Sequence, residues 1–271
     1  MHMRLKDGKS KVFTLSYDDG VVQDIRLINL MDQYGIKGTF NINSGCYLPE
    51  ETVREKYYGR MKRSEAIQLF SDSGHEVASH AYHHPDLCQL RPEDITWEIW
   101  EGRKAAEADY GAMVRGMAYP YGTYNEDVLA ALRLCGICYS RTTVATGKFS
   151  FPENWLTWHP TCHHNSPKLM ELAERFVNAK GDCKMFYVWG HSYEFDNDDN
   201  WSVMEDLFRC VGNKEDIWYA TNIEIYDYIQ AYKALRVSLD GKTVYNPSVA
   251  DVWFYEKGQT YRVSGGETIR L

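Results

Sequence analysis

The sequence predicts an α/β protein: a distorted (β/α)7-8 barrel with a small C-terminal β appendage. Short apolar runs typical of strands alternate with stretches of helical periodicity, and the sequence contains no internal repeat. Strands separated by helices imply parallel β/α units. About seven or eight such units in about 235 residues are typical of a barrel rather than an open sheet.

The first units show the pattern clearly. The apolar run Lys11–Tyr17 predicts a buried strand. A helix is predicted next from the i, i+3, i+4, i+7 spacing of Leu27, Leu30, Met31 and Tyr34, and Gly35 ends it. Further strands are predicted at Gly38–Asn43, His75–Ser79, Gly116–Tyr119, Ile137–Thr143, Trp155–His159, Met185–Trp189 and Trp218–Thr221. Further helical stripes are Val128/Ala131/Leu132/Cys135 and Leu169/Leu172/Ala173/Phe176. These units assign residues 1–235 to the barrel.

After Leu235 the helical signal stops. Residues 236–271 carry turn signals at Asp240-Gly241, Lys257-Gly258 and Gly265-Gly266 between β-rich runs. We therefore expect residues 236–271 to form a small β-rich extension, which could cover a barrel end or mediate a homo-oligomer contact.

Composition excludes several classes of protein. Of 271 residues, 44% are hydrophobic and 25% charged, which is typical of a soluble globular chain. The net charge of −8 argues against a nucleic-acid partner or an anionic membrane surface. No apolar run approaches the roughly 18 residues of a membrane span. The N-terminal MHMRLKDGK lacks the apolar stretch of a signal peptide, so a cytoplasmic location is expected, although a trimmed signal would leave no trace.

The cysteines do not suggest a disulfide framework, because seven is odd and they are scattered along the chain. Cys135 and Cys138 form a single CxxC pair at the end of a predicted helix. A redox or zinc role would need exposure or a second pair, so buried reduced thiols are predicted.

Residues suited to catalysis follow the predicted strands, where the βα loops of a barrel carry the chemistry. They are Asp18-Asp19-Gly20, His80 with His83 and His84, Tyr119-Pro120-Tyr121-Gly122, Arg141, His159 with His163 and His164, and Gly190-His191. Two imidazoles and one carboxylate with an open position make a catalytic metal site. Pro85 disfavours a helix at His84, but a tight turn could still bring His84 to His80. Of the adjacent acids Asp18 and Asp19, one can bind the metal while the other acts as general base on water.

Four segments carry a family resemblance. Thr14–Gly20 (TLSYDDG) resembles the T-F-D-D-G motif of the polysaccharide deacetylases, carbohydrate esterase family 4 with its NodB homology domain. Gly74–Leu87 is similar to their H-[S/T]-x-x-H motif followed by Pro, Ala118–Gly122 to R-x-P-Y-G, and Val188–His191 stands in the place of L-x-H. The four matches occur in the family's order.

The resemblance implies a role for each matching residue. Asp18 would be the catalytic base, and Asp19, His80 and His84 would hold a divalent metal, commonly zinc, with cobalt, nickel, iron and manganese left open. The backbone N–H of Tyr121 would stabilise the oxyanion, and His191 would be the general acid.

Two departures from the family pattern concern the cation beside the base. Ala118 replaces the arginine that pairs with the catalytic Asp, and no D-x-x-D-W segment is recognisable. A free carboxylate beside a metal-bound one still needs a cation. We hypothesise that Arg141, at the next strand end, supplies it.

Substrate contacts are expected from rings and histidines near these strand ends. Aromatic residues make up 14% of the chain, and such rings stack well on sugar faces. The candidates are Tyr119, Pro120, Trp189, His163 and Tyr193. His159, His163 and His164 could instead bind a second metal or be structural, and the acidic loop from Glu194 to Asp199 is interpreted as solvated surface.

The sequence therefore predicts a metal-dependent hydrolase that removes N- or O-acetyl groups from a sugar or oligosaccharide. Two alternatives stay open at this point. One is a hydrolase of cyclic amides or ureides on the same fold, and the other is a carbohydrate-binding pseudoenzyme.

Overall fold

Strands and helices alternate through most of the chain. The computed structural model describes residues 1–54, 59–71 and 73–271. Its strands are β1 (His2–Arg4), β2 (Lys11–Asp18), β3 (Thr39–Ile42), β4 (Glu76–Ser79), β5 (Gly116–Ala118), β6 (Tyr139–Arg141), β7 (Cys162–His163), β8 (Lys184–Gly190), β9 (Ile217–Tyr219), β10 (Arg236–Val237), β11 (Thr243–Tyr245), β12 (Val252–Glu256), β13 (Gln259–Val263) and β14 (Thr268–Arg270). Its helices are α1 (Asp24–Gln33), α2 (Arg63–Phe70), α3 (Pro92–Tyr110), α4 (Glu126–Leu134), α5 (Leu169–Asn178), α6 (Glu194–Asn197), α7 (Ser202–Val211) and α8 (Asn222–Lys233).

One parallel sheet forms the centre of the protein. Its strands follow the order β6-β5-β4-β3-β2-β8-β7, and β9 pairs with the start of β2. The segment of residues 158–163 joins the two sides of the curled sheet. Trp158 bridges to Arg141 of β6, and Cys162 pairs with Val188 of β8. The predicted α/β barrel is confirmed in this distorted form.

The prediction of a strand at Trp155–His159 is wrong. Residues Trp155–Thr157 form a short 3-10 helix, because the Asn154 side chain accepts a hydrogen bond from Leu156 N and turns the chain. Pro160 has no N–H to donate to a ladder. Regular pairing therefore resumes only at Cys162.

Strand β2 separates two environments by its period of two. Phe13, Leu15 and Tyr17 pack into the hydrophobic cluster that faces the helices. Ser16 and Asp18 point into the barrel, where Asn41 Nδ2 donates to Ser16 Oγ at 2.8 Å and to Asp18 Oδ1 at 2.8 Å. The barrel interior is thus polar, and Asp18 lies at its carboxyl end.

A second acid, Glu76, is buried at the opposite end of the barrel. Although part of the residue is exposed where β4 begins, its carboxylate accepts hydrogen bonds from Thr39 Oγ1, Tyr139 Oη and Ile223 N at 2.7–2.9 Å. Burial raises the pKa of Glu76 to about 7, and these hydrogen bonds only partly oppose the rise.

The predicted β-rich extension is present as two small antiparallel sheets. Strands β10, β11 and β14 form one sheet, and β12 and β13 form the other together with β1 from the N-terminal end. Val244, Phe254 and Val263 make a separate small core. The sequence analysis did not anticipate that β1 joins this region, and the division at residue 235 stays a prediction.

The prediction that the CxxC cysteines are buried holds for Cys135 but not for Cys138, which is half-buried. All seven cysteines lie in the described part of the chain and are unpaired, with Cys135 and Cys162 buried and the others half-buried. Within the described ranges, no helix combines the length and apolar character that crossing a membrane requires.

Candidate active site

The predicted catalytic residues meet at one edge of the parallel sheet. Asp18 and Arg141 are the last residues of β2 and β6, while His80 and His191 directly follow β4 and β8. Because the carboxyl ends of parallel strands lie at the same edge, residues far apart in sequence come together there.

Asp18 is the centre of this group. Its side chain is 3% exposed, and its Oδ2 contacts Arg141 Nη2 and lies 3.9 Å from His80 Nε2 and 3.8 Å from His191 Nε2. Burial alone would raise the pKa of Asp18. The positive charge of Arg141 outweighs burial and lowers the pKa of Asp18 below its usual value.

Arg141 is wholly buried beside Asp18. Its Nε donates to Ser16 Oγ at 3.2 Å, and its guanidinium lies 4.4 Å from the centre of the Trp189 ring. The structure therefore contains the contact that the sequence hypothesis requires. Asn41 supplies the other hydrogen bond to the Asp18 carboxylate.

Asp19, His80 and His84 form a group suited to a metal ion, since one ligand atom from each lies within 4.8 Å of the others. His80 Nδ1 donates to Ala118 O at 2.8 Å, which leaves the Nε2 lone pair directed at the group. Burial lowers the pKa of His80 to about 4, so the imidazole is neutral, as a ligand must be. One carboxylate and two imidazoles fit a divalent cation.

Left-handed backbone conformations bring these ligands together. Asp19 has φ 83° and His84 has φ 61°, so the chain turns sharply after β2 and again before Pro85. The expected tight turn at His84 is therefore present. Arg60, which the sequence analysis missed, donates to Asp19 O at 2.7 Å and to Asp19 Oδ1 at 3.1 Å.

A second cluster surrounds Glu194. His191 Nδ1 lies 3.0 Å from Glu194 Oε1, and His163 Nε2 lies 3.3 Å from Oε2. Asn165 N donates to His163 Nδ1 at 3.1 Å, so the proton of neutral His163 sits on Nε2 and faces the carboxylate. No lone pair of His163 then points into the cluster. We therefore interpret the cluster as hydrogen-bonded histidines around one carboxylate rather than as a second metal site.

His164 completes this cluster from the barrel side. Its Nε2 lies 2.8 Å from Glu194 Oε2, off the line of a good hydrogen bond, and its Nδ1 lies 3.1 Å from Tyr17 Oη. A Cβ on Gly190 would come within 2.0 Å of His164 Nδ1, so only glycine permits this placement. His164 is thus a packed structural residue behind the site.

Glu194 and His191 shift each other's protonation. Burial opposes ionisation of both, but the contacts with His164 and then His191 lower the pKa of Glu194, and the hydrogen bond to Glu194 raises the pKa of His191. The interpretation of Glu194 as part of a solvated loop is wrong. Its position three residues after His191 is the signal that could have identified it, because a turn at that spacing places the two side chains together.

The predicted substrate contacts differ in their exposure, and Tyr121, the predicted oxyanion residue, lies near them at the site. Tyr121 is 65% exposed, and its ring meets the His84 ring edge-on at 4.7 Å. The Tyr193 ring lies 5.2 Å from the His191 ring, and Trp189 lies edge-on to His163. Tyr119 is buried and donates from Oη to Leu156 O.

That burial is a correction for two of the predicted contacts. Tyr119 is 1% exposed because its hydroxyl is held by the Leu156 carbonyl at 2.6 Å inside a hydrophobic cluster. Pro120 is also buried. Neither side chain lines an open groove. Trp189 is 8% exposed, and its contact with substrate stays a prediction, as do those of His163 and Tyr193.

Comparison with known proteins finds a matching family model and relatives of similar sequence. A model of the polysaccharide deacetylase family matches residues 5–140. The chain is 29% identical over 128 residues to a chitooligosaccharide deacetylase from Bradyrhizobium sp. (strain ANU 289), a match that covers 45% of this chain and 52% of that protein. The chain thus spans about half the length of this curated relative.

Two solved structures share the fold. The Xyl-CE4 domain of a multidomain xylanase from the hindgut metagenome of Trinervitermes trinervoides superposes with a TM-score of 0.55 at 18% identity, covering 82% of this chain and 92% of that one. A family 4 acetyl xylan esterase from Clostridium thermocellum, solved with a cobalt ion, gives 0.54 at 13% identity, with 80% and 90% covered.

Proposed function

Because this chain belongs to the polysaccharide deacetylase family, we propose that it hydrolyses acetyl groups from a carbohydrate, with Asp18 as base and His191 as acid. One observation carries the proposal. The Asp18 carboxylate, which the Arg141 charge keeps ionised, lies within 4 Å of both His80 and His191 and directly beside the group Asp19, His80 and His84.

Asp19, His80 and His84 are proposed to hold a divalent cation, with zinc as the first candidate. The neutral, oriented imidazole of His80 supports this assignment, and the cobalt ion of the related esterase is a property of that protein. When bound, such a cation polarises the acetyl carbonyl and makes water more acidic. Zinc, cobalt and other divalent ions remain alternatives for the test.

Asp18 would take the proton of the attacking water. A base must be ionised at working pH, and the lowered pKa of Asp18 meets that condition. Arg141 and Asn41 hold one carboxylate oxygen each, so the side chain cannot rotate away from the site. We therefore assign Arg141 a positioning and charge-balancing role in place of the missing motif arginine.

His191 would donate a proton to the leaving amine or alcohol. Glu194 accepts from His191 Nδ1, so this nitrogen carries the fixed proton and Nε2 faces Asp18 and the reacting group. The raised pKa of His191 keeps a larger fraction protonated near neutral pH, as an acid requires. The backbone N–H of Tyr121 is proposed to stabilise the oxyanion, on the family resemblance alone.

The substrate is proposed to be an acetylated sugar or oligosaccharide. Acetate release should be measured from chitooligosaccharides and acetylated xylan, using metal-stripped protein and the same protein with zinc or cobalt restored. We expect release that depends on metal, is lost in Asp18→Asn, and persists in Asp199→Asn, which removes an exposed carboxylate. Failure to release acetate from any of these glycans with metal restored would refute the proposal.

A further inference from the structure

The loop after β4 carries more than the metal-ligand candidates His80 and His84. A single carboxylate, Glu98 of α3, fixes this loop, and Glu98 is only 7% exposed. Its Oε2 accepts hydrogen bonds from Tyr82 N at 3.1 Å and His83 N at 2.8 Å, and its Oε1 lies 2.8 Å from His83 Nδ1. Three contacts to one buried acid hold both the backbone and the His83 ring in place.

Helix α3 approaches the loop so closely because of Gly102, one turn after Glu98. A Cβ on Gly102 would lie 2.9 Å from the carbonyl carbon of Ala81 and 3.0 Å from Tyr82 N. Such contacts are shorter than backbone atoms tolerate, so a larger residue would push the helix away. The sequence therefore builds α3 and the loop as one rigid unit.

This unit presents an exposed aromatic surface next to His84. The Trp97 ring stacks on the His83 ring, with centroids 5.7 Å apart and planes 22° from parallel, and meets Tyr82 edge-on at 5.5 Å. Trp97 is 48% exposed and the His83 side chain is 50% exposed. The Trp97 indole is thus held in one orientation by its stack on His83, while about half of it stays open to solvent.

The chemistry of this surface indicates what it binds. Trp97 offers a flat apolar face, and the Nδ1 atom of the His83 ring is already directed at Glu98. Such a face matches the C–H side of a pyranose ring, whose hydroxyls stay in water at its edge. His83, on which the Trp97 ring stacks, directly precedes the proposed metal ligand His84, and consecutive Cα atoms are about 3.8 Å apart.

We propose that Trp97, stacked on His83, is a subsite for the sugar unit that adjoins the acetylated one. This inference rests on the proposed function, since it takes the substrate to be an oligosaccharide. Trp97 binds the neighbouring ring and determines how strongly the enzyme prefers longer chains. Glu98 and Gly102 position it, and none of the three touches the reacting atoms.

The test compares Trp97→Ala with Trp100→Ala. Trp100 is one turn further along α3 and 54% exposed, but the His83 stack is made by Trp97, so it is a matched control. We expect Trp97→Ala to raise KM for N-acetylated chitotetraose or acetylated xylotetraose about three- to tenfold, the effect of losing one aromatic contact. The kcat should change less than about twofold, hydrolysis of an aryl acetate should be unaffected, and Trp97→Phe should restore part of the lost affinity.

Binding without turnover separates this inference from the proposed function. The same glycans are titrated by calorimetry into Asp18→Asn protein with and without Trp97→Ala. Weaker binding in the double variant supports the subsite, whether or not the wild type releases acetate. A wild type that binds these glycans but releases no acetate would refute only the proposed deacetylase activity. Equal KM and Kd with and without Trp97, equal losses in Trp100→Ala, or no glycan binding at all would overturn the subsite.

Discussion

The buried ion pair between Arg141 and Asp18 gives the sharpest quantitative prediction. Arg141 is 0% exposed and Asp18 is 3% exposed, so water cannot compensate either charge when the other is removed. In Arg141→Met the carboxylate keeps its hydrogen bond from Asn41 but loses its neighbouring cation, and Ser16 Oγ loses a donor.

The magnitude follows from that burial. Removing one partner of a buried pair costs about 3–5 kcal/mol, because an uncompensated charge stays in the interior. We expect this loss in Arg141→Met and a similar one in Asp18→Asn. In the double variant neither charge is left, so its loss should be about 2 kcal/mol smaller than the sum of the two single losses.

Urea unfolding at pH 7, followed by the fluorescence of the eight tryptophans, measures these free energies. Arg262→Met is the matched control, because it removes an arginine whose partner Asp251 lies at the surface. Such an exposed pair contributes about 1 kcal/mol or less. A loss in Arg141→Met no larger than in this control, or strictly additive losses in the double variant, would refute the reasoning.

Three further predictions concern the metal, the acid and the barrel interior. Zinc added to metal-free protein should raise Tm in wild type and His159→Ala but not in His84→Ala, and an unchanged shift in His84→Ala would exclude that ligand. Glu194→Gln should lower kcat about ten- to hundredfold with little change in KM, whereas Asp198→Asn in the same loop should not; comparable kcat values for the two variants would argue against the His191–Glu194 pair. Glu76 keeps its proton in the folded state up to about pH 7 but loses it near pH 4.5 when unfolded, so stability should fall by about 1.4 kcal/mol per pH unit in this window. Glu76→Gln should remove that slope in urea unfolding between pH 5 and 7, and an identical slope in the variant would show that Glu76 is not its source.

Local patterns in the sequence predicted the parts of the protein that depend on local structure. The apolar run of β2, the helical spacing in α4 and α5, and the two acids at the end of β2 each lie within one segment. The need for a cation beside two adjacent carboxylates led to Arg141, although 123 residues separate it from Asp18. That inference was possible because an unpaired buried charge is costly whatever the fold.

Exposure and side-chain direction could not be predicted in the same way. Tyr119 stands in a motif that resembles a family signature, yet its ring packs in the core while Tyr121 is exposed. Glu194 is followed by several acids, which hid its hydrogen bond to His191. Trp97 gave no signal at all, because only the packing of α3 on the loop after β4 reveals its stack on His83.

The pairing of β1 with β12 has a consequence for how the protein is made. His2 lies opposite Tyr255, so β1 is synthesised about 250 residues before its partner strand β12 and stays unpaired until β12 has been made. Its backbone N–H and C=O groups stay open to water or to another chain during that time. The contact also has a very long sequence separation, which makes its formation slow. The sheet of β1, β12 and β13 is therefore expected to form late during synthesis, and dilution or a chaperone that covers β1 would favour its correct pairing.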